Sequence, residues 1–278
     1  MPKESPSRRP TAGQAPGSPR VRRGYFECRY GQLHVHNAIP SGGGFEEGTP
    51  LLCLHPSPRC GRIFQRFLVI AGAGRSVFAP DLPGFGDSDA PPAGAGVAEH
   101  AAAIGDFLDT MRLRQIDLLG QRYGALVAAE LTAARPERVR RMVLVSPPLA
   151  AGATDPPLPA PAAADGSHLH EEWIRAVAYC GPGASPETVS GALADRLRNA
   201  SQATAAAAAE RTYSLRTRLA PLSMPLLVLR LRDDVVAHAA QPRDLPARAR
   251  LIELPDRGAS LFETAPEAAA RAMESFLR

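Results

Sequence analysis

The sequence predicts an α/β fold, a mostly parallel sheet of eight strands flanked by helices. Short and continuous apolar runs, such as residues 50–55, are typical of strands buried on both faces. These runs alternate with longer segments of helical periodicity, such as residues 97–111. Strands that alternate with helices form parallel sheets with right-handed crossover connections. A chain of 278 residues can bury the substantial core that this fold requires.

The individual strands can be assigned in chain order. Two alternating runs, residues 25–30 and 32–39, lie on either side of Gly31 and indicate an antiparallel hairpin. Continuous apolar runs predict the other six strands, at residues 50–55, 76–81, 116–119, 142–146, 226–229 and 250–254. Besides residues 97–111, a C-terminal helix is predicted over residues 266–278.

A long insertion separates the last two strands from the others. A loop rich in Pro and Ala covers residues 149–164, and helical stretches follow around residues 169–179 and 186–219. This length exceeds that of one crossover connection. We therefore interpret residues 149–222 as a helical cap over the C-terminal edge of the sheet. Residues 24–148 and 223–278 are then expected to form the α/β core.

The net charge of the chain, +4, is concentrated at its start. Residues 1–23 carry six Lys and Arg residues against Glu4, a net charge of +5, which leaves −1 for the remainder. A nearly neutral folded part does not indicate nucleic-acid binding. Because residues 1–23 also contain five prolines and lack apolar periodicity, we expect them to form a disordered, solvated tail.

The cysteines indicate neither a metal site nor a disulfide framework. Cys28, Cys53, Cys60 and Cys180 show no Cys-x-x-Cys spacing, so no metal site is expected. No cofactor is expected either. The chain also lacks an apolar signal segment and a run long enough to span a membrane. We therefore expect a cytoplasmic protein with no membrane partner. Lysine occurs once, whereas Ala, Gly and Arg abound, which is typical of a GC-rich bacterial coding sequence.

The most informative segment is residues 116–131. It contains a short apolar strand, a Gly-x-x-x-Gly turn from Gly120 to Gly124, and a helix rich in Ala, Leu and Val. This is the outline of a nucleophile elbow, whose central residue is expected to be Ser, Cys or Asp. Here the central residue is Arg122. Arginine stays protonated in proteins and has no lone pair to offer, so it can act neither as a nucleophile nor as a base.

Six segments in the same order resemble the α/β-hydrolase fold superfamily over residues 24–278. Besides the elbow and the cap, these are residues 54–58 (similar to the oxyanion loop), 79–88 (the turn after the fourth strand), 230–236 (the acid loop) and 254–260 (the histidine loop). The resemblance implies an eight-stranded α/β-hydrolase sheet with a helical cap. It also implies a catalytic triad of a nucleophile, a histidine and an acid.

Carried over residue by residue, the resemblance places Arg122 at the nucleophile position and Ala259 at the histidine position. Only the acid position keeps a suitable residue, Asp234, with Asp233 as a second candidate. Loss of the nucleophile or of the histidine usually removes nearly all of the rate. We therefore expect a degenerate triad without serine-type hydrolysis.

Other residues near these loops could in principle replace the missing groups. The candidates are Ser57, Cys60, His55, His238 and Ser260. Each is more readily explained as a structural residue, because the geometry of a triad is demanding.

Two interpretations of Arg122 remain open. An elbow places its central side chain at a helix N-terminus, where anions are favoured, so Arg122 requires a negative partner. In the first interpretation, Arg122 pairs with Asp234 or Asp233 and plugs the pocket. In the second, it faces the cavity and binds a carboxylate, phosphate or enolate oxygen of a ligand, with Ser57 and Tyr123 as further ligand-binding residues.

Three functions follow from these interpretations. The first is a non-hydrolytic pseudohydrolase that binds a small acidic or acyl ligand or a protein partner, for example as a biosynthetic accessory protein. The second is a non-hydrolytic enzyme (a cyclase, isomerase or lyase) with Arg122 and Asp234 as its catalytic residues. The third is an ester or amide hydrolase with an unorthodox nucleophile or base. A collapsed pocket would favour partner binding, and an open pocket would favour chemistry.

Overall fold

Eight strands form one sheet in the computed structural model, which describes residues 19–40, 47–149, 160–181, 183–232 and 245–278. The strands are β1 (Val21–Cys28), β2 (Gly31–Ala38), β3 (Gly48–Leu54), β4 (Arg75–Pro80), β5 (Ile116–Gln121), β6 (Val139–Val145), β7 (Leu226–Leu231) and β8 (Ala249–Leu254). They lie in the order β1-β2-β4-β3-β5-β6-β7-β8. β2 is antiparallel to both β1 and β4, and every other neighbouring pair is parallel. The predicted fold class is confirmed.

The described helices follow the expected alternation with the strands. They are α1 (Gln65–Ala71), α2 (Val97–Thr110), α3 (Tyr123–Ala134), α4 (Ser167–Cys180), α5 (Pro186–Arg198), α6 (Ala200–Thr212), α7 (Leu215–Leu219), α8 (Leu261–Thr264) and α9 (Pro266–Leu277), with short 3-10 helices at Gly61–Phe64 and Pro136–Arg138. The sequence patterns did not predict α1, α8 or the 3-10 helices. These elements are too short for helical periodicity to be read reliably.

A hydrophobic core lies on each face of the sheet. One core joins the sheet to α2 and α3, with Phe107 and Leu126 among its members. The other joins it to α1, α8 and α9, with Phe262 among its members. Strand β3 contributes Leu52 and Leu54 to the first core, and Leu51 and Cys53 to the second. This alternation explains the continuous apolar run of β3, because both of its faces are buried.

The first strand begins earlier than the sequence predicted. Residues 21–23 were assigned to the tail, but Val21 pairs with Ala38 and Arg23 pairs with His36 in the β1–β2 hairpin. β1 is an edge strand on which Arg22 and Arg23 are exposed, so charged residues are compatible with it. The tail predicted over residues 1–23 therefore ends before Val21, where β1 begins. Residues 1–18 lie outside the described residues.

The insertion between β6 and β7 contains the helices α4 to α7. The helical stretch predicted over residues 186–219 is divided into three helices, and its first break is at Asn199. The Asn199 side chain accepts a hydrogen bond from the Gly86 N–H (3.1 Å) and donates one to the Pro58 carbonyl (2.7 Å). These bonds tie the cap to two loops of the α/β core. This tertiary contact explains a break that the local sequence does not show.

Two further expectations can be compared with the structure. All four cysteines have free thiols. Among the described residues, no helix is long and apolar enough to cross a membrane.

Candidate functional site

The turn between β5 and α3 has a strained geometry. Arg122, its central residue, has φ = 50° and ψ = −112°, a region that residues with a side chain rarely adopt. A Cβ atom on Gly120 would lie 2.4 Å from the Gly124 carbonyl oxygen, and one on Gly124 would lie 2.2 Å from the Leu54 oxygen. Both glycines are therefore required for the close approach of α3 to the sheet. This geometry supports the assignment of the turn as an elbow.

The Arg122 side chain lies under the cap. Only 9% of Arg122 is exposed, and its Cζ atom lies 5.8 Å from the ring centroid of Tyr179 in α4. At this distance a guanidinium ion is attracted to an aromatic ring. The Cζ atom of Arg59 also lies 5.8 Å from the same centroid. Two cations thus contact one tyrosine, a residue that the sequence patterns did not identify.

The hydroxyl group of Tyr179 is a buried polar group that lacks a partner. It forms no hydrogen bond with any part of the chain that the structure describes. Burial raises the pKa of Tyr179, so the hydroxyl is neutral and can donate a hydrogen bond. A buried hydroxyl without a partner is costly. A ligand oxygen beside Arg122 could supply the missing partner.

Arg59 connects the α/β core to the cap. Its Nε atom donates to Asp195 Oδ2 of α5 (2.8 Å), and its Nη atoms donate to both carboxylate oxygens of Glu263 in α8 (3.1 and 2.8 Å). Burial disfavours the charge of Arg59, but Glu263 and Asp195 outweigh this effect and raise its pKa. Because two carboxylates balance its charge, Arg59 is assigned to cap attachment and not to ligand binding.

The loop at the expected histidine position lies beside the elbow. Ala259 is buried, and its carbonyl oxygen accepts a hydrogen bond from Gln121 Nε2 (2.7 Å). The next residue, Ser260, donates from Oγ to the Cys180 carbonyl at the end of α4 (2.5 Å). A Cβ atom on Gly258 would lie 2.9 Å from the same carbonyl oxygen. The end of α4, which carries Tyr179, is therefore packed against the backbone of this loop.

Two more polar atoms without partners lie at the carboxyl ends of β5 and β6. They are Gln121 Oε1 and Ser146 Oγ, both buried and without a hydrogen bond among the described residues. Gln121 pairs with Val145, the residue before Ser146, so the two lie on neighbouring strands. Ser146 also has a positive φ, 45°. Strain and unsatisfied polar groups tend to cluster at functional sites.

The other predicted site residues differ in their surroundings. Ser57 is half-buried and precedes a cis bond to Pro58 in the loop after β3. The Tyr123 side chain is fully buried, and its hydroxyl is 2.9 Å from His100 Nδ1. The Tyr123 side chain is therefore not available to a ligand, and only the backbone N–H of Tyr123 at the start of α3 could contact one. Asp234, with Asp233 and His238, lies outside the described residues.

The possible substitutes for the triad have structural contacts. His55 Nε2 accepts a hydrogen bond from the Leu82 N–H (2.8 Å), and burial lowers the pKa of His55. Burial raises the pKa of the Cys60 thiol, so Cys60 is not a reactive thiolate. Ser260 donates to Cys180, as described above. These contacts are consistent with the structural roles that the sequence predicted for the three residues.

Cap helix α6 carries a carboxyl group whose pKa is affected by the charge of Arg122. The buried face of α6 carries Ala203, Ala206 and Ala207, and Glu210 follows at helical spacing. Burial raises the pKa of Glu210, whereas the charge of Arg122 opposes this increase. Sequence reasoning missed Glu210, because a run of alanines before it contains no motif.

The family can now be assigned. The family model of the alpha/beta hydrolase fold matches residues 49–266, which is most of the chain. The chain belongs to the α/β-hydrolase family. The matched region includes the elbow, the cap helices and the loop of Ala259.

Two relatives of this chain carry different enzyme names. The chain is 33% identical over 102 residues to a haloalkane dehalogenase from Psychrobacter cryohalolentis, a match covering 36% of this chain and 34% of the relative. It is 35% identical over 103 residues to epoxide hydrolase 2 of Siraitia grosvenorii, with 36% and 32% covered. The matches thus span about a third of the length of these curated relatives.

The likeness to a solved structure covers nearly the whole chain. The crystal structure of the enol-lactonase from Burkholderia xenovorans has a TM-score of 0.76 at 20% identity, with 91% of this chain and 99% of that chain covered. At this identity the likeness shows the fold alone. The α/β-hydrolase fold supports many chemistries, so the function has to be argued from the site.

Proposed function

We propose that this protein is a non-hydrolytic member of the α/β-hydrolase family that binds a small acidic or acyl ligand above the elbow. The observation that carries the proposal is Arg122 at the strained centre of the elbow, next in the chain to Gln121, which bonds to the carbonyl oxygen of the buried Ala259. A guanidinium cannot attack a carbonyl carbon, and alanine cannot accept a proton. The pair that performs acyl transfer in a triad is therefore absent at these positions.

An anionic group is the ligand chemistry that fits this site best. Arg122 precedes the first turn of α3, where backbone N–H groups also favour an anion. Guanidinium has five N–H donors, so Arg122 can hold a protein carboxylate and a ligand oxygen together. The Tyr179 hydroxyl, which lacks a partner among the described residues, provides one more donor.

Three other functions remain as alternatives. If Arg122 pairs with Asp234 or Asp233 as a plug, no small anion will bind, and the protein will act through a protein partner. The names of the relatives favour a second candidate, a hydrolase of esters or amides with an unorthodox nucleophile or base. The non-hydrolytic enzyme, a cyclase, isomerase or lyase, was predicted to use Asp234, which lies outside the described residues.

Ligand binding can be tested by thermal unfolding. Small carboxylic acids, each paired with its neutral primary amide, are added to the wild type, to Arg122→Gln and to Arg250→Gln. Arg250 is an exposed residue of β8 and provides the matched control. We expect at least one acid, but not its amide, to raise the Tm of the wild type and of Arg250→Gln by several degrees. The Tm of Arg122→Gln should not respond.

The same proteins, together with Asp234→Asn, are assayed with p-nitrophenyl esters, haloalkanes and epoxides. We expect no turnover above the rate without protein. Turnover that Arg122→Gln or Asp234→Asn removes would overturn the proposal in favour of the hydrolase. An equal response of the wild type and Arg122→Gln to the acids would overturn the role of Arg122. A response to none of the acids would support the plug.

A further inference from the structure

We propose that His34, His36 and Asp81 form a binding site for a zinc ion. Their ligand atoms all lie within 4.8 Å of one another, and all three residues are buried. The cysteine spacing predicts no metal site, but imidazole and carboxylate groups are zinc ligands too. The site is separate from the elbow, because β3 lies between β4, which Asp81 follows, and β5. It therefore does not depend on the proposed function.

The alternation of β2 places both imidazoles on one face of the sheet. His34 and His36 are two positions apart, and side chains at this spacing in a strand point the same way. The centroids of the two rings are 4.7 Å apart. Leu33 and Val35, at the alternate positions, contribute to the core on the opposite face. Asp81 joins the two histidines because its N–H donates to the His34 carbonyl (2.8 Å) just beyond the pairing of β2 with β4.

The distances suit a zinc ion after a small adjustment. His34 Nδ1 lies 2.9 Å from Asp81 Oδ2. Zinc binds nitrogen and oxygen ligands at about 2.0–2.2 Å, so two neighbouring ligand atoms lie about 3–3.5 Å apart. The outermost of the three ligand atoms therefore has to move inward by about 1 Å. Zinc takes the place of the proton between His34 and Asp81, which is released to water, and a water molecule fills the fourth position.

Further contacts hold the ligands in place. Asp81 Oδ1 accepts a hydrogen bond from the Gly61 N–H (2.6 Å), and Asp81 Oδ2 accepts one from the Asp87 N–H (3.0 Å). The Gln65 amide nitrogen lies 3.3 Å from His36 Nδ1. Outer contacts of this kind orient the side chains that bind a metal. The cluster is thus largely formed before an ion enters.

The charges of the three groups are those that zinc requires. Burial disfavours the charge of Asp81, but its hydrogen bond with His34 and other contacts outweigh this effect and lower its pKa, so the carboxylate is ionised. Burial lowers the pKa of His36 to about 4, so at neutral pH the ring is neutral and can offer a lone pair. The charges of Arg62 and Arg23 oppose a cation here. Both arginines are exposed, so water and salt screen their effect.

Tyr25 marks a route by which an ion could enter. It lies opposite His34 in the β1–β2 hairpin, and the two ring centroids are 5.2 Å apart. Tyr25 is 55% exposed, and β1 is the edge strand of the sheet. Rotation of the Tyr25 side chain would therefore open the cluster to solvent without a change in the backbone.

The proposed zinc site is linked to the attachment of the cap. Asp81 bonds to Gly61 and Asp87, each within three residues of a backbone group that bonds to Asn199 of the cap. An ion that fixes Asp81 should therefore stabilise the two loops to which the cap is bonded. We assign the site a structural role on this basis.

The proposal is tested by calorimetric titration of the metal-free chain with ZnCl2. The wild type is compared with His36→Gln, His36→Cys and His170→Gln. His170 is exposed on α4 and controls for adventitious binding to a surface histidine. Cysteine is a zinc ligand whereas glutamine is a poor one, so His36→Cys separates coordination from a mere change of shape. Circular dichroism and Tm show whether each variant is folded.

We expect one zinc ion to bind per chain of the wild type and of His170→Gln, with a micromolar or lower Kd. His36→Gln should weaken binding by at least about 100-fold, because a ligand is worth more than an outer contact. His36→Cys should retain most of the affinity. Zinc should also raise the Tm of the wild type by several degrees and slow proteolysis of the cap, but have neither effect on His36→Gln.

A second measurement does not depend on whether the variants fold. In the wild type with ¹⁵N-labelled histidine, zinc should shift the ring nitrogen signals of two of the seven histidines. Absence of such shifts and of tight binding would overturn the site, and the cluster would then be a buried hydrogen-bonded pair. Equal affinity of folded His36→Gln, or loss of binding in His170→Gln, would place the zinc elsewhere and overturn the proposal as well. None of these results changes the test of ligand binding at Arg122.

Discussion

At the residue scale, the elbow shows how few side chains its geometry permits. Gly120 and Gly124 have no space for a Cβ atom, and Arg122 adopts a positive φ between them. An observed outlier of this kind costs about 1–3 kcal/mol and is found mostly at functional sites. The motif itself was evident in the sequence. The contact between Arg122 and Tyr179 was not, because 57 positions separate the two residues along the chain.

The strict need for glycine in the elbow can be measured. Gly124→Ala should lower the free energy of unfolding by about 3 kcal/mol or more, because its Cβ atom would overlap the Leu54 carbonyl oxygen. The control is Gly191→Ala in α5, where a Cβ atom would meet open space. Alanine in a helix should raise the free energy of unfolding there by about 0.5–1 kcal/mol. Urea unfolding gives both values, and equal effects of the two substitutions would contradict this explanation.

At the element scale, polar contacts with the α/β core attach the cap and determine where its helices end. Residues 186–219 show helical propensity throughout, yet the helix is interrupted at Asn199, whose side chain bonds to two loops of the α/β core. Arg59 likewise joins the loop after β3 to Asp195 of α5 and to Glu263 of α8. Helical propensity therefore predicted the cap but neither its number of helices nor its attachment. Such contacts depend on residues that are distant in the sequence.

The attachment by Arg59 gives a prediction for the cap. Arg59→Gln leaves the buried Asp195 without its cation, and should lower the free energy of unfolding by about 3–5 kcal/mol. Arg198→Gln removes an exposed pair with Asp87 and should cost at most about 1 kcal/mol. Urea unfolding measures both losses, and limited proteolysis should show faster cleavage within the cap of Arg59→Gln. Similar losses in the two variants would refute the assignment of Arg59.

At the scale of the whole molecule, the stability should depend on the buried histidines. Burial lowers the pKa of His36 in β2 and of His100 in α2 to about 4. In the unfolded chain their pKa is about 6.5, so unfolding takes up protons between these values. The stabilisation is therefore complete above pH 6.5 and is lost as the pH falls toward 4.

The contribution of His36 to this pH dependence of stability can be measured. When the pH falls from 7.5 to 5, protonation of each of the two histidines in the unfolded chain should lower the free energy of unfolding by about 2 kcal/mol. His36→Gln should show a correspondingly smaller decrease over this range than the wild type. His170→Gln, which changes an exposed residue of α4, should behave as the wild type does. Urea titrations at the two pH values provide the test, and an unchanged decrease in His36→Gln would contradict the argument.

The amino-acid sequence by itself determined the fold class, the approximate positions of the eight strands along the chain, and the elbow. Local patterns were sufficient for this, because strands buried on both faces are continuously apolar and the close approach of α3 requires glycine. It also led to the prediction, through the family resemblance, that Arg122 and Ala259 stand at the nucleophile and histidine positions. Only the tertiary structure decided what surrounds Arg122. Tyr179 of α4 lies against the guanidinium groups of Arg122 and of Arg59, although the three residues come from separate segments of the chain.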